Sequence, residues 1–151
     1  MVTRLRAAHT AAMQCNPFND TAGGAMKIFV VEDSAAVRER LVEMIGELKD
    51  IEVVGEAESF GNAVAGILDT RPDVAIVDVR LADELGTGID VLQEVRKVLP
   101  SVRGIVMSNF STPQFTKASA DAGAEYFLDK TRDFERIPEI LRYMGGTPAG
   151  R

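Results

Sequence analysis

Four consecutive apolar residues, Val74 to Val77, lie between Pro72 and Asp78 and restrict the fold more than any other stretch of the chain. A run this short and this rich in β-branched side chains has the length of a strand covered on both faces, as strands of parallel sheets are. Its last residue is a carboxylate, Asp78. Ligands of open α/β sheets bind beyond the carboxyl ends of the strands, so a charge placed there by a hydrocarbon strand calls for a chemical reason.

The flanking sequence repeats the pattern. Lys27 to Val31, Ile51 to Gly55, Gly104 to Met107 and Glu125 to Leu128 have strand composition. Between them lie stretches of helical spacing. Ser34 is a good N-cap for a first helix carrying Val37, Leu41, Met44, Ile45 and Leu48. Phe60 to Leu68 predicts a second helix, weakened by Gly61 and Gly66, and Ile89 to Val98 a third, stopped by Pro100. A short fourth helix follows Pro113, and a fifth begins near Ile137 and turns Ile140, Leu141 and Met144 inward. Strands alternating with helices predict a doubly wound α/β domain with a parallel sheet of five strands, and right-handed crossovers bring all the strand ends to one edge.

That edge collects Glu32 and Asp33 from the first of these strands, Asp78 from the third, Ser108 from the fourth and Lys130, after Asp129, from the fifth. Carboxylates about 4 Å apart repel by roughly 4 kcal/mol at an effective dielectric near 20, so a cation has to hold them together. Lys130 and one divalent ion balance the three negative charges. An all-oxygen donor set favours a hard ion of the magnesium type. The one histidine, His9, and the one cysteine, Cys15, both precede the first strand, which argues against histidine catalysis, a His/Cys metal site and a disulfide framework. A net charge of −6 and a pI near 4.8 argue against non-specific nucleic-acid binding. No apolar run reaches the length of a membrane span and the N-terminus lacks a signal-peptide core, so the expected location is the cytoplasm. Residues 1–25, small and polar with Pro17 and the Gly23-Gly24 pair, read as a loose or disordered extension, with a helix over Thr3 to Met13 as the alternative. The expected organisation is therefore 1–25 extension, 26–144 domain and 145–151 tail.

The order Glu32-Asp33, Asp78, Ser108 and Lys130, with GAEYFLDK at 123–130, resembles the receiver domain of bacterial two-component response regulators from Met26 to about Met144. The resemblance implies a flavodoxin-like sheet of order 2-1-3-4-5. It implies that Asp78 accepts a phosphoryl group from the phosphohistidine of a sensor histidine kinase or histidine phosphotransfer protein. Magnesium would be held by Asp33, Asp78, the backbone carbonyl of Arg80 and, through water, Glu32. Lys130 would pair with the phosphoryl oxygens, and Ser108 would donate its hydroxyl to them. Phe127 stands where the family carries an aromatic switch, and Phe110 and Phe115 would share its apolar patch. The output implied is contact with a downstream protein target, without membrane or direct nucleic-acid binding, and a homodimer through the face from the fourth to the fifth helix. The chain would be a phosphoryl acceptor, not an enzyme.

Departures from the family pattern are Ala82 in place of a proline, a loop LADELGTG about two residues longer than common, with Asp83 and Glu84, and Arg80 and Phe110 beside the site. Three output classes stay open: a stand-alone receiver, the receiver half of a DNA-binding transcription regulator, and a phosphorylation-independent adaptor. Aspartate-nucleophile phosphatases need a second aspartate two positions on, where this chain has Arg80. A flavin-binding reading lacks a phosphate loop, because EDSAAVRER is acidic where one would lie.

Overall fold

The computed structural model describes residues 3–5, 25–82, 85–110 and 112–146. Its sheet has six strands: β1 (Thr3–Arg4), β2 (Met26–Val31), β3 (Ile51–Ala57), β4 (Val74–Asp78), β5 (Arg103–Ser108) and β6 (Ala124–Asp129). They are ordered β1-β6-β5-β4-β2-β3. All neighbours pair parallel except β1, which runs antiparallel to β6. Counted from Met26, the five parallel strands have the order 2-1-3-4-5. The helices are α1 (Ala35–Gly46), α2 (Phe60–Thr70), α3 (Gly88–Arg96), α4 (Pro113–Asp121) and α5 (Ile137–Gly146), the last entered through a 3-10 turn at Phe134–Arg136.

Period-two alternation along the strands builds two cores. Phe29, Val31, Ala75, Val77, Val106 and Phe127 point to the side covered by α2, α3 and α4, where Ile67, Leu92 and Val95 meet them. Ile28, Val30, Ile76, Ile105, Met107 and Leu128 point to the other side, where α1 brings Leu41 and Ile45 and α5 brings Ile137 and Leu141. Val74 to Val77 are fully buried, as strands with helices on both faces must be.

Local chemistry fixes the helix starts. The Ser34, Ser59 and Thr112 hydroxyls accept from the N–H groups of Val37, Asn62 and Phe115, and Thr87 forms a capping box with Asp90. Element ends differ by one or two residues from the sequence expectation: β3 runs on to Ala57, and α3 starts at Gly88 and ends at Arg96. Gly66, which weakens α2 by propensity, has a packing reason. A Cβ there would lie 2.5 Å from the Phe29 ring, as would one at Gly55, so the two glycines form the slot that seats Phe29.

The clearest departure is β1. Thr3 and Arg4, expected in a loose extension, are paired in the sheet, and neither lies in a helix. Residues 6–24, with His9, Cys15 and Pro17, lie outside the described residues, as do Asp83, Glu84 and the tail from Thr147.

Candidate functional site

β2, β4 and β6 deliver their last polar residues to one pocket. Hydrogen bonding in the interior of a parallel sheet leaves strand ends with little freedom, so Glu32, Asp78 and Lys130 are placed by register: Val31 pairs with Val77, Asp78 with Met107, and Ser108 with Asp129. Lys130 reaches between the two carboxylates. Its Nζ donates to Asp78 Oδ2 at 3.0 Å and lies 2.9 Å from Glu32 Oε1 as an ion pair. The Glu32 side chain is fully buried and that of Asp78 is 6% exposed. Glu32 Oε2 accepts the Ser34 N–H at 3.1 Å, whereas Oε1 accepts no aligned hydrogen bond. Asp33 is exposed and completes a group whose oxygens lie within 4.8 Å of one another.

The ionisation of Glu32 reflects its burial first and its charged neighbours second. Burial pushes its carboxyl up to about 7 and Asp78 adds to the shift, while Lys130 and the Ser34 N–H oppose it. Burial also works against the charge on Lys130, but its contacts with Glu32 and Asp78 outweigh that and hold its ammonium above the ordinary lysine value. Three clustered carboxylate oxygens, one of them buried without an aligned donor, fit a hard divalent cation, which bonds to oxygen and accepts carboxylates as neighbours. The cluster opens into a cleft of about 800 Å³ whose lining includes Arg40, Arg80, Asn109, Thr131 and Phe134.

The cleft does not gather every expected residue. The Ser108 hydroxyl is turned into its own loop, donating to the Phe110 carbonyl at 2.8 Å and accepting the Phe110 N–H at 3.0 Å. Phe127 is 3% exposed and packed inward with the cluster on the α3 and α4 side, which Phe115 also joins. Phe110 is 60% exposed. Arg80 is exposed and lines the cleft.

Other residues serve the site without having been singled out in the sequence. Gly88 is the plainest: a Cβ there would lie 2.0 Å from the Asp78 carbonyl oxygen, so only glycine lets the start of α3 come this close. Its N–H donates to Val79 O at 3.1 Å and ties α3 to the segment after Asp78. A glycine four residues after Glu84, just inside a threonine cap, was the available signal. Arg38 Nη1 donates to the Glu32 carbonyl at 2.7 Å while its Nε lies 3.3 Å from Glu56, fixing the backbone that carries Glu32. Asp129 Oδ1 accepts from Thr131 and Arg132, and Asp133 accepts the Asp129 N–H, so this loop holds Lys130 in place.

A profile of the response regulator receiver domain matches residues 28–142. The chain belongs to the response regulator receiver domain family. Its relatives include the DNA-binding transcriptional activator DevR/DosR of Mycobacterium tuberculosis, 33% identical over 126 residues that span 83% of this chain and 56% of that protein. The response regulator protein VraR of Staphylococcus epidermidis is 27% identical over 118 residues, 78% of this chain and 56% of that protein. The receiver thus spans about half the length of these relatives. Among solved structures, the response regulator domain of Thermotoga maritima CheB matches with TM-score 0.69 at 26% identity, over 80% of this chain and 92% of that one. The signal receiver domain of the NarL response regulator from Mycobacterium tuberculosis matches with TM-score 0.70 at 26% identity, over 82% and 98%.

The expectation of no nucleic-acid partner needs correcting in scope. It rested on the acidic charge of these residues, and charge speaks only for the surface that carries it. DevR/DosR, described as DNA-binding, is nearly twice the length that the receiver matches. Among the described residues no helix is long and apolar enough to cross a membrane.

Proposed function

We propose that Asp78 is the phosphoacceptor of a signalling switch and takes its phosphoryl group from the phosphohistidine of a sensor histidine kinase or histidine phosphotransfer protein. The observation that carries this reading is the Lys130 ammonium held 3.0 Å from Asp78 and 2.9 Å from Glu32 in the lining of the cleft. A carboxylate oxygen of Asp78 attacks phosphorus in line with the leaving imidazole. The new O–P bond forms as the N–P bond breaks, and the electron pair stays on the imidazole nitrogen. Asp33, Asp78, the Arg80 carbonyl and, through water, Glu32 would hold a magnesium ion, which would supply positive charge against the negative charge gathered on the transferring group. Lys130 exchanges its carboxylate contact for the phosphoryl oxygens. Ser108, whose hydroxyl is bonded to the Phe110 backbone, turns that hydroxyl to the phosphoryl group. That movement draws on the loop before α4, and Phe127 repacks behind it.

The output is a changed surface read by a protein target, and the domain works in the cytoplasm beside its kinase. It accepts a phosphoryl group and does not turn over a free substrate. A second reading, receiver of a DNA-binding regulator, is supported by the description of DevR/DosR and by the half-length match. There the changed surface acts on a DNA-binding segment.

Phosphoramidate, whose N–P bond stands in for phosphohistidine, tests the reading. Intact mass should rise by one phosphoryl group with magnesium, and stay unchanged with a chelator or in Asp78→Asn. Equal uptake by Asp78→Asn would overturn it.

A further inference from the structure

β6 ends the parallel part of the sheet, and its outer edge has to be covered or paired. The Lys130 N–H donates to Ser108 O, so even-numbered residues here bond toward β5, and Glu125 and Phe127 turn their backbone groups outward. Residues 3–5 meet those groups. Thr3 stands opposite Phe127 and Arg4 opposite Tyr126, and the Leu5 N–H donates to Glu125 O at 2.6 Å. Leu5 packs on the cluster that holds Phe127, while the Arg4 guanidinium lies 5.6 Å from the Tyr143 ring of α5. These are the two directions a strand must alternate between. Three residues therefore cover part of the β6 edge and reach the core cluster on one side and α5 on the other.

The hold is slight. Twenty residues separate Leu5 from Met26, a reach of at most about 70 Å, against roughly 19 Å for the four strand spacings between β1 and β2. The link therefore neither forces β1 onto the edge nor prevents its leaving, and so short a strand belongs to the low-stability end of local opening.

We propose that residues 3–5 are a releasable cap that keeps the β6 edge from pairing with the β6 edge of a second copy of the chain. β1 establishes that this edge accepts an antiparallel strand. Two β6 edges related by a two-fold axis are antiparallel by symmetry, so each copy offers the other what β1 offers in cis, and the assembly closes at two. In cis the cap wins through its high effective concentration. The inference does not depend on phosphorylation.

The test uses the full chain and two variants. Leu5→Pro removes both the donor to Glu125 and the packed side chain, and Leu5→Glu keeps the donor but sets a charge against the apolar cluster. Sedimentation velocity across a concentration series reads the mass, and hydrogen exchange reads the Phe127 amide. Wild type should sediment as a monomer with that amide protected. Dilute Leu5→Pro should lose that protection by at least about tenfold, and concentrated Leu5→Pro should double in mass and regain it, with Leu5→Glu following. Variants that stay monomeric at every concentration overturn the proposal, as do unchanged amide protection in the dilute variants, open-ended larger species, or a wild type already dimeric. Loss of the folded circular dichroism spectrum in both variants overturns it too, because a releasable cap is not needed for the fold.

Discussion

Gly88→Ala should damage both stability and phosphoryl uptake although it adds only a single methyl group. The added Cβ would lie 2.0 Å from the Asp78 carbonyl oxygen and 2.9 Å from Val77 Cβ, and both neighbours belong to the fully paired strand β4. Real contacts of this kind are not found below 3.0 Å, so the start of α3 has to retreat by about 1 Å or more. The retreat stretches the 3.1 Å bond from the Gly88 N–H to Val79 O, a loss of about 1 kcal/mol, and adds overpacking strain of about 1–3 kcal/mol. The sum is about 2–4 kcal/mol, which at a urea slope near 2 kcal/mol/M lowers the midpoint by roughly 1–2 M. Displacement of the segment after Asp78 should also slow phosphoryl uptake by about tenfold or more, as small misplacements of reacting groups do. Gly61→Ala is the control: a Cβ there meets nothing within 4 Å, and the helix α2 should gain about 0.5–1 kcal/mol. Urea titration of both variants with the rate of mass gain from phosphoramidate decides it. A Gly88→Ala midpoint within about 0.2 M of wild type would refute the close-approach argument.

Lys130→Met leaves Glu32 and Asp78 side by side without their ammonium partner, and breaking such a pair should cost about 3–5 kcal/mol in chelator; magnesium should raise the melting temperature more in this variant than in wild type, and an equal rise would contradict the charge balance described here. Glu32 is held up to about 7 from an ordinary 4.5, so between those values the folded chain binds more protons than the unfolded one and stability should fall as pH rises through that window. Urea unfolding in chelator at pH 5 and pH 8 checks it: the fall should be absent in Glu32→Gln, and a rise attributable to Glu32 would reverse the assignment. Ser108→Ala removes a hydroxyl bound within its own loop and should change stability by no more than about 1 kcal/mol, while the difference in amide exchange of β6 between unphosphorylated and phosphorylated protein should shrink; an undiminished difference would exclude Ser108 from the switch.

The sheet was legible because its strands are short, β-branched and separated by helix-spaced stretches with a clear cap at Ser34 and a helix-starting Pro113. Glu32, Asp78 and Lys130 were legible as a group because strand register leaves strand-end residues with one place to go. β1 was not legible: Thr3 and Arg4 have no strand signature, and their pairing depends on an edge formed by residues more than a hundred positions away. Gly88 was hidden among other glycines, since its role is a distance to a backbone oxygen and not a turn. Gly66 read as a weakness of α2 because propensity ignores the Phe29 ring lying against it. The Ser108 hydroxyl lies within its loop because the nearby Phe110 backbone offers both a donor and an acceptor, a local competition that a strand-end position does not reveal.

The most direct measurement is chemical mapping of the phosphorylated residue. Protein treated with phosphoramidate and magnesium is reduced with borohydride, which converts an aspartyl phosphate to homoserine, then digested and sequenced by mass spectrometry. Homoserine at position 78, absent when magnesium is chelated, is the expected result. Homoserine at Asp33 or another carboxylate, or phosphate retained on a hydroxyl with Asp78 unmodified, would contradict the assignment of Asp78 as the acceptor.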